Sequence, residues 1–275
     1  MKIGVSTFVT DEGIRPAVLA RALEERRFDS LLVHDHSHVP VGRETPFPGR
    51  GELPREYYRT LDPFVSLTAA AAVSDTLLLG TGIALLVQRD VIHTAKQVAS
   101  LDLISHGRVI FGVGTGWNRE EMRNHGTDPS TRGALLNEQL AALTAIWTQD
   151  RAEFHGEHVD FDPIFSWPKP VQSPHPPIYV GGDGPAALAR VAAHGDGWMP
   201  HSVHRPDRAR IQLQRLAEVG AAVPVIVSGV AASAALINAY ADAGADHLAL
   251  TLPTRAEADT LRTLDAFSRL LEDHR

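Results

Sequence analysis

The sequence contains no cysteine, and this absence excludes several kinds of chemistry. Disulfide bonds, thiolate metal sites and a cysteine nucleophile are all ruled out. No run of 18 apolar residues occurs, so the sequence predicts no transmembrane helix. The N-terminal segment MKIGVSTFVT lacks the longer apolar stretch and the cleavage site of a signal peptide. We therefore expect a cytoplasmic protein that does not associate with membranes.

The charge of the chain is moderate and evenly spread. There are 26 Lys and Arg residues against 33 Asp and Glu residues, which gives a formal net charge of −7. This balance argues against a nucleic-acid-binding surface. A length of 275 residues with 44% hydrophobic residues suits one large α/β domain, and we expect a single domain over residues 1–275.

Short β-rich runs alternate with longer helical patterns along the chain, which is typical of βα units around a parallel sheet. The predicted strands are Ile3–Phe8, Ser30–His34, Leu77–Leu85, Arg108–Val113, Pro177–Gly181, Gly197–Pro200, Val223–Val227 and His247–Leu252. The predicted helices are Pro16–Arg26, Asp62–Val73, Val91–Ile104, Thr131–Thr148, Pro185–His194, Pro206–Val219, Ala231–Ala243 and Arg255–Glu272. Eight such units predict an α/β fold of the (β/α)8 TIM-barrel type. A doubly wound open sheet is the alternative.

Two longer segments interrupt this alternation. Val39–Thr60 follows the second predicted strand and is rich in Pro, Gly and Arg, and Asp150–Pro176 follows the helix after the fourth strand. Loops of this length in a compact domain are usually lids, binding loops or dimer contacts. We expect both insertions to shape a substrate pocket.

A histidine-rich segment, HDHSH at residues 34–38, follows the second predicted strand, where barrel side chains point toward the catalytic mouth. One interpretation is a polar loop that caps the strand. A second is a metal site, because the HxH spacing suits a metal and His201 and His204 could add ligands. A third is a proton-transferring pair in which the carboxylate of Asp35 orients or charges the imidazole of His36.

Glycines cluster at three further strand ends. Residues 80–83 (GTGI) fit either close packing in the barrel or the approach of a ligand to the backbone. Residues 112–118 (GVGTGWN) open the backbone and favour a large flat cofactor over a dinucleotide, because GxGxG is not GxGxxG. Gly181 and Gly182 join a strand to a helix, as in an ordinary βα turn or a phosphate site.

Several segments, taken in order along most of the chain, resemble the luciferase-like monooxygenase superfamily of flavin and deazaflavin enzymes. They are LDPF at 61–64, LGTGI at 79–83, ASLDLISHGR at 99–108, GVGTGW at 112–117, PIYVGG at 177–182 and GDGW at 195–198. The pattern SLDxxSxGRxxxGVGTGW at 100–117 is the most specific of them. The resemblance implies a (β/α)8 barrel and a homodimer.

The resemblance also implies a site. The flavin or deazaflavin ring would lie at the carboxyl ends of the strands, with its phosphate near Gly181 and Gly182. The deazaflavin branch has an Asp–His pair after the second strand, matched by Asp35 and His36, and a bulge with a non-proline cis peptide bond, which would fall at Gly82-Ile83. The expected cofactor-binding residues are Thr81, Gly82, Ile83, Gly114, Thr115, Gly116, Trp117, Gly181 and Gly182.

The leading hypothesis is hydride transfer between coenzyme F420 and an unidentified small organic substrate. His36 would exchange a proton, Asp35 would orient or charge it, and Trp117, Tyr57 and Trp198 could form walls of the pocket. The alternatives are an FMN-dependent monooxygenase that uses O2, a metal-dependent barrel hydrolase that uses the HDHSH segment, and a flavin-binding protein without catalysis.

Overall fold

The computed structural model describes residues 1–49, 51–201 and 223–272, together with positions 207, 210, 211, 214 and 217. The strands are β1 (Lys2–Thr7), β2 (Ser30–Val33), β3 (Leu78–Leu85), β4 (Val109–Gly114), β5 (Ala152–His155), β6 (Asp160–Ile164), β7 (Ile178–Gly181), β8 (Gly197–Met199), β9 (Ile226–Val230) and β10 (His247–Thr251). The helices are α1 (Pro16–Glu25), α2 (Pro63–Ala71), α3 (Val91–Ile104), α4 (Arg119–Asn124), α5 (Arg132–Thr148), α6 (Pro185–His194), α7 (Ala234–Asp242) and α8 (Glu257–Glu272). Short 3-10 helices cover Arg55–Tyr58 and Leu86–Gln88.

Eight of these strands form one parallel sheet in the order β8-β7-β4-β3-β2-β1-β10-β9. Parallel bridges between Trp198 and Val225, and between His201 and Ser228, join the two ends of this sheet. The sheet is therefore a nearly closed barrel with helices between its strands, and the predicted (β/α)8 TIM barrel is confirmed.

Helix starts are encoded locally. The Asp62 carboxylate accepts hydrogen bonds from the amides of Phe64 and Val65 at 2.9 and 3.0 Å, which caps α2. Asp90 caps α3 in the same way through the amide of His93 at 2.7 Å. Prolines stand in the first turn of α1, α2 and α6, where the missing amide proton costs nothing. None of the described helices is long and apolar enough to cross a lipid bilayer.

The apolar side chains divide between two clusters. The larger one fills the space between the strands and the outer helices, and it includes Phe111 and Trp198. The smaller one lies in the barrel interior and consists of Leu32, Ile110, Met199, Ile226 and Ala249 with a few partly buried neighbours. Because successive side chains of a strand alternate between the two faces, strands covered on both faces are apolar throughout.

Some parts of the chain differ from the prediction, among them the short helix α4, which was not predicted. β9 begins at Ile226, three residues later than predicted, and the preceding Pro224 has no amide proton for a ladder. The Asp150–Pro176 insertion contains an antiparallel hairpin of β5 and β6, which was predicted as loop. The predicted helix Pro206–Val219 lies largely outside the described residues, and its five described positions are helical.

Candidate active site

A cavity of about 290 Å³ opens at the carboxyl ends of the barrel strands. It is lined by Phe8, His34, Asp35, His36, Tyr57, Gly82, Ile83, Leu85, Gly114, Thr115, Gly116, Trp117, Gly181, Gly182 and His201. The barrel thus brings together residues from seven segments that are separated in sequence. The lining includes every residue predicted to be catalytic or to bind the cofactor except Thr81.

Thr81 supports the strands and lies away from the cavity. Its side chain is buried, and its hydroxyl donates a hydrogen bond to the carbonyl of Gly112 at 2.6 Å. Since that bond joins β3 to β4, the expectation that Thr81 contacts a cofactor directly has no support in this geometry.

A bulge in β3 forms the floor of the cavity. The peptide bond between Gly82 and Ile83 is cis, as the family resemblance implied, and the register between β3 and β4 shifts between Thr81 and Ala84. The Nδ1 atom of His34 lies 2.6 Å from the carbonyl oxygen of Gly82. Because a carbonyl only accepts, Nδ1 carries the proton. Burial lowers the pKa of His34 to about 4, so this ring is neutral near pH 7.

The glycines around the cavity make room for Ile83. A Cβ atom at Gly114 would lie 2.1 Å from Cδ1 of Ile83, and one at Gly181 would lie 3.1 Å from the same atom. Gly80 is explained by barrel packing, because its Cβ would lie 2.7 Å from the carbonyl oxygen of Ile110. Gly114 and Gly181 were expected to bare the backbone for a ring. They instead seat Ile83, and the Ile83 side chain faces the cavity.

The turn after β7 has the features of an anion site. Gly182 has a φ of +100°, which an L side chain rarely adopts. No side chain caps α6, whose N-cap residue is Gly184. Pro185 has no amide proton and the Ala187 amide donates to the Gly184 carbonyl at 2.9 Å, which leaves the Ala186 amide of the first turn for an anion. The indole Nε1 of Trp198 donates to the Gly182 carbonyl at 2.7 Å and fixes the turn. Trp198 is fully buried in the core, so the expectation that it forms a pocket wall is wrong.

The carboxylate of Asp35 does not contact His36. Arg89 binds it through two nitrogens at 2.7 and 2.9 Å, and the amide of Leu85 donates to it at 2.9 Å. The same guanidinium also reaches Asp62 at the start of α2, at 3.2 Å. The predicted Asp35–His36 pairing is therefore wrong: adjacent residues on an extended chain point in opposite directions. Asp35 ties β2 to the end of β3 and to α2.

The carboxylate next to His36 comes from α4. Nδ1 of His36 lies 2.8 Å from Oε2 of Glu121, and both side chains are buried. Asn118 caps this short helix by accepting a hydrogen bond from the Glu121 amide at 3.2 Å. The sequence analysis missed Glu121. The available signal was an Asn followed three residues later by Glu, directly after the glycine-rich segment.

Aromatic rings surround His36. The ring centroid of Tyr57 lies 5.1 Å from that of His36, and the centroid of Trp117 lies 6.1 Å from it. Phe47 packs on both, at 5.3 Å from Tyr57 and 5.8 Å from Trp117. Burial raises the pKa of Tyr57 to about 12, so its hydroxyl stays protonated. Phe47 and Tyr57 both belong to the Val39–Thr60 insertion, which therefore supplies part of the pocket wall, as expected.

The histidine-rich segment directs its rings to separate partners. His34 donates to a carbonyl, His36 contacts Glu121, and His38 contacts Ser37 and Asn124. Across the described part of the chain, no group of three or more His, Asp or Glu side chains is placed to hold a metal ion. His201 lines the cavity, and His204 lies outside the described residues. The geometry thus gives the metal-hydrolase interpretation no support.

Comparisons with known proteins give the family of this chain. The family model of the luciferase-like monooxygenases matches residues 6–272. Protein Rv0953c of Mycobacterium tuberculosis is 46% identical over 203 residues, which cover 72% of each chain. The F420-dependent hydroxymycolic acid dehydrogenase of the same organism is 29% identical over 181 residues, covering 64% of this chain and 50% of that protein. The FMNH(2)-dependent dimethylsulfone monooxygenase of Pseudomonas putida is 40% identical over 96 residues, covering 34% and 26%.

Solved structures share the fold over the whole chain. The monooxygenase RslO1 from Streptomyces bottropensis superposes with a TM-score of 0.80 at 21% identity, covering 100% of this chain and 99% of that one. An F420-dependent secondary alcohol dehydrogenase in complex with an F420–acetone adduct gives 0.76 at 19% identity and covers 100% of both chains. These likenesses show the TIM-barrel fold. The chain belongs to the luciferase-like monooxygenase family.

Proposed function

We propose that this protein transfers a hydride between coenzyme F420 and a small organic substrate, with His36 as the proton donor or acceptor. The observation that carries this proposal is the position of the His36 ring in a cavity whose floor is the β3 bulge. The similarity to an F420-dependent dehydrogenase supports it. Relatives in the family use either F420 or FMN, so the choice between the two is the part that experiment must decide.

The residues present suit a flat ring with an anionic tail. Ile83 offers an apolar floor, the rings of Phe8 and Trp117 offer apolar walls, and the uncapped first turn of α6 offers the Ala186 amide to a phosphate. A bound deazaflavin supplies a carbon that gives or takes a hydride. The Tyr57 and Trp117 rings exclude water from that face of the cavity.

His36 supplies the proton. Its Nδ1 is occupied by Glu121, which leaves Nε2 as the nitrogen that can exchange a proton with a bound substrate. In the reducing direction the Nε2 proton passes to the substrate heteroatom as the hydride reaches the adjacent carbon, and in the oxidising direction the ring takes it back. Positioned acid–base groups of this kind contribute about 10²- to 10⁴-fold to rates.

A second candidate function is an FMN-dependent monooxygenation with O2 at the same cavity. The similarity to the FMNH(2)-dependent dimethylsulfone monooxygenase favours it over 96 residues. Side-by-side titration of the purified protein with F420 and with FMN, followed by fluorescence and thermal shift, separates the two. We expect F420 to bind at least about tenfold more tightly, a difference of about 1.4 kcal/mol. Tighter binding of FMN would favour the monooxygenase, and binding of neither would overturn both.

The partners we propose are a small-molecule substrate and a second copy of the chain, since the resemblance implies a homodimer. Light scattering at several concentrations gives the mass in solution. A mass near 60 kDa, about twice the 29.8 kDa of one chain, would support the dimer, and the monomer mass at all concentrations would contradict it.

A further inference from the structure

Glu121 is a buried carboxylate with one ionic partner. Its side chain is 0% exposed, and within the described ranges no Lys or Arg nitrogen lies within 4 Å of it. A buried carboxylate charge costs several kcal/mol unless it is paired. The only group that pairs with it is the imidazole of His36, at 2.8 Å, and its second oxygen, Oε1, has no hydrogen-bond donor among the described residues.

Asp35 is also buried, but it differs from Glu121 in its partners. The bidentate contact with Arg89 neutralises the charge of the Asp35 carboxylate, and the Leu85 amide donates a further hydrogen bond to it. Burial disfavours a charged guanidinium, but the carboxylates of Asp35 and Asp62 outweigh burial and raise the pKa of Arg89. Arg89 therefore stays charged and remains paired with Asp35. Asp35 therefore has no unpaired charge to offer the His36 ring, although it is the neighbouring residue in sequence.

The other groups that face His36 are neutral. Tyr57 keeps its proton because burial raises its pKa to about 12, and His34 stays uncharged because burial lowers its pKa to about 4. The remaining rings in contact, Trp117 and Phe8, carry no charge, with centroids 6.1 and 6.5 Å from that of His36. Among these described neighbours, the Glu121 carboxylate is thus the one group that can stabilise a protonated imidazole.

We propose that Glu121 is the positioning residue of His36: it holds the ring by Nδ1, directs Nε2 into the cavity and stabilises the imidazolium form. This inference rests on the proposed role of His36 and extends it to a residue on α4. Before the proton leaves, the pair is an imidazolium and a carboxylate. Afterwards it is a neutral imidazole that still donates its Nδ1 proton to Glu121. One proton moves from Nε2 to the substrate heteroatom, and the hydride that reaches the adjacent carbon would come from the reduced deazaflavin of the proposed function.

The test compares Glu121→Gln with Asp35→Asn, two isosteric changes that each remove one negative charge. Nuclear magnetic resonance of 15N-labelled histidines, with His36 assigned through His36→Gln, reports the Nδ1 proton and the pH at which the ring takes up its second proton. In Glu121→Gln we expect the Nδ1 proton to exchange faster with solvent, because a neutral amide oxygen accepts a weaker hydrogen bond than a carboxylate does.

Turnover gives the second readout. Glu121→Gln should lower kcat by about 10- to 100-fold and shift the pH profile, with KM and cofactor Kd within about twofold, the usual range for a residue that acts through another. Asp35→Asn should lower the melting temperature and leave the His36 resonances in place, because Arg89 and the Leu85 amide lose a charged partner there. The reverse pattern, with His36 resonances altered by Asp35→Asn alone, would overturn the proposal.

Two further measurements keep the inference separable from the proposed function. If neither F420 nor FMN binds, the function fails, but the resonance experiment on the free protein still tests the Glu121–His36 contact. If Glu121→Gln does not fold, the native protein decides: a slowly exchanging Nδ1 proton on His36 supports the contact, and a rapidly exchanging one contradicts it.

Discussion

The two ends of the barrel use the same polar residue types for different purposes. At the amino ends of the strands, three aspartates each accept a hydrogen bond from an amide at the start of a neighbouring strand. These bonds are Ile3 to Asp29 at 2.6 Å, Ile178 to Asp196 at 2.8 Å and Val225 to Asp246 at 2.8 Å. His247 at this end shares a hydrogen bond with the Ser30 hydroxyl at 2.8 Å. These three aspartates and His247 thus join neighbouring strands at this end.

At the carboxyl ends, some polar groups hold the backbone in place and others face the cavity. Asp35 and His34 support the backbone, as the aspartates at the other end do, whereas the His36 ring with Glu121 behind it faces the cavity. Barrel enzymes place chemistry at this end because the βα loops can vary without disturbing the strands. The comparison teaches that residue type alone does not mark function: the buried histidines at both ends look alike in sequence.

The largest effect that separates the two ends is expected from His36→Ala. Loss of the proton-transferring ring should lower turnover by about 10²- to 10⁴-fold, with cofactor Kd within about threefold. The matched change at the other end, His247→Gln, should leave turnover per folded molecule unchanged. Steady-state kinetics with whichever cofactor binds gives the result. Full activity in His36→Ala would mean that His36 has no more part in turnover than His247 has.

A second test concerns the floor of the cavity. Gly114→Ala should push Ile83 toward the cavity, because the new Cβ would lie 2.1 Å from the flexible end of that side chain. We expect cofactor Kd to rise about tenfold or more with a small change in melting temperature. Gly133→Ala in α5, where the new Cβ meets only Arg190 at 3.5 Å, is the control and should bind normally. Equal affinity in both variants would contradict the role of Ile83.

Acid should destabilise both ends through their buried histidines. Burial lowers the pKa values of His34 and His247 to about 4, below the 6.5 of an unfolded histidine. The unfolded chain therefore binds more protons below pH 6.5, and the free energy of unfolding falls as pH drops from about 6.5 to 4. His247→Gln should flatten that slope, removing on the order of 1–3 kcal/mol of pH-dependent change. Denaturant unfolding at pH 4.5 and pH 7 measures it, and an unchanged slope would argue against burial of a neutral ring.

The smallest effect is expected from a single strand cap. Asp246→Ala removes the acceptor of the Val225 amide, and because the carboxylate is exposed the loss should be about 1 kcal/mol. Cofactor affinity should stay the same. If the free energy of cofactor binding changed by more than the free energy of unfolding, the two ends of the barrel would be coupled.

The barrel could be predicted from sequence because its signals are local. Apolar runs place the strands, and Asp62 with Pro63 marks the start of α2. The hairpin of β5 and β6 has no comparable signal, since its two short strands mix apolar and charged residues and are largely exposed. The glycine-rich segments and the HDHSH segment could be assigned to the same end of the barrel, because the carboxyl ends of parallel strands lie on one side of it.

The pairing inside the site could not be predicted. His36 and Glu121 are 85 residues apart, and no periodicity joins a residue after β2 to one in a short polar helix after β4. Asp35 was the nearest carboxylate in sequence, but alternation along an extended chain turns it to the other side. The prediction that Trp198 forms a pocket wall was wrong for a similar reason. The face of the sheet on which its side chain lies depends on the register of β8 against β7.

The hydrogen bond from the Trp198 indole to Gly182 also provides an optical probe. An indole held rigidly in the core, one bond away from the turn that would receive a phosphate, emits light whose wavelength and lifetime depend on that carbonyl. Replacement of the other tryptophans at positions 117, 147 and 167 would leave this single emitter. Occupancy of the anion site could then be followed in real time without labelling the ligand.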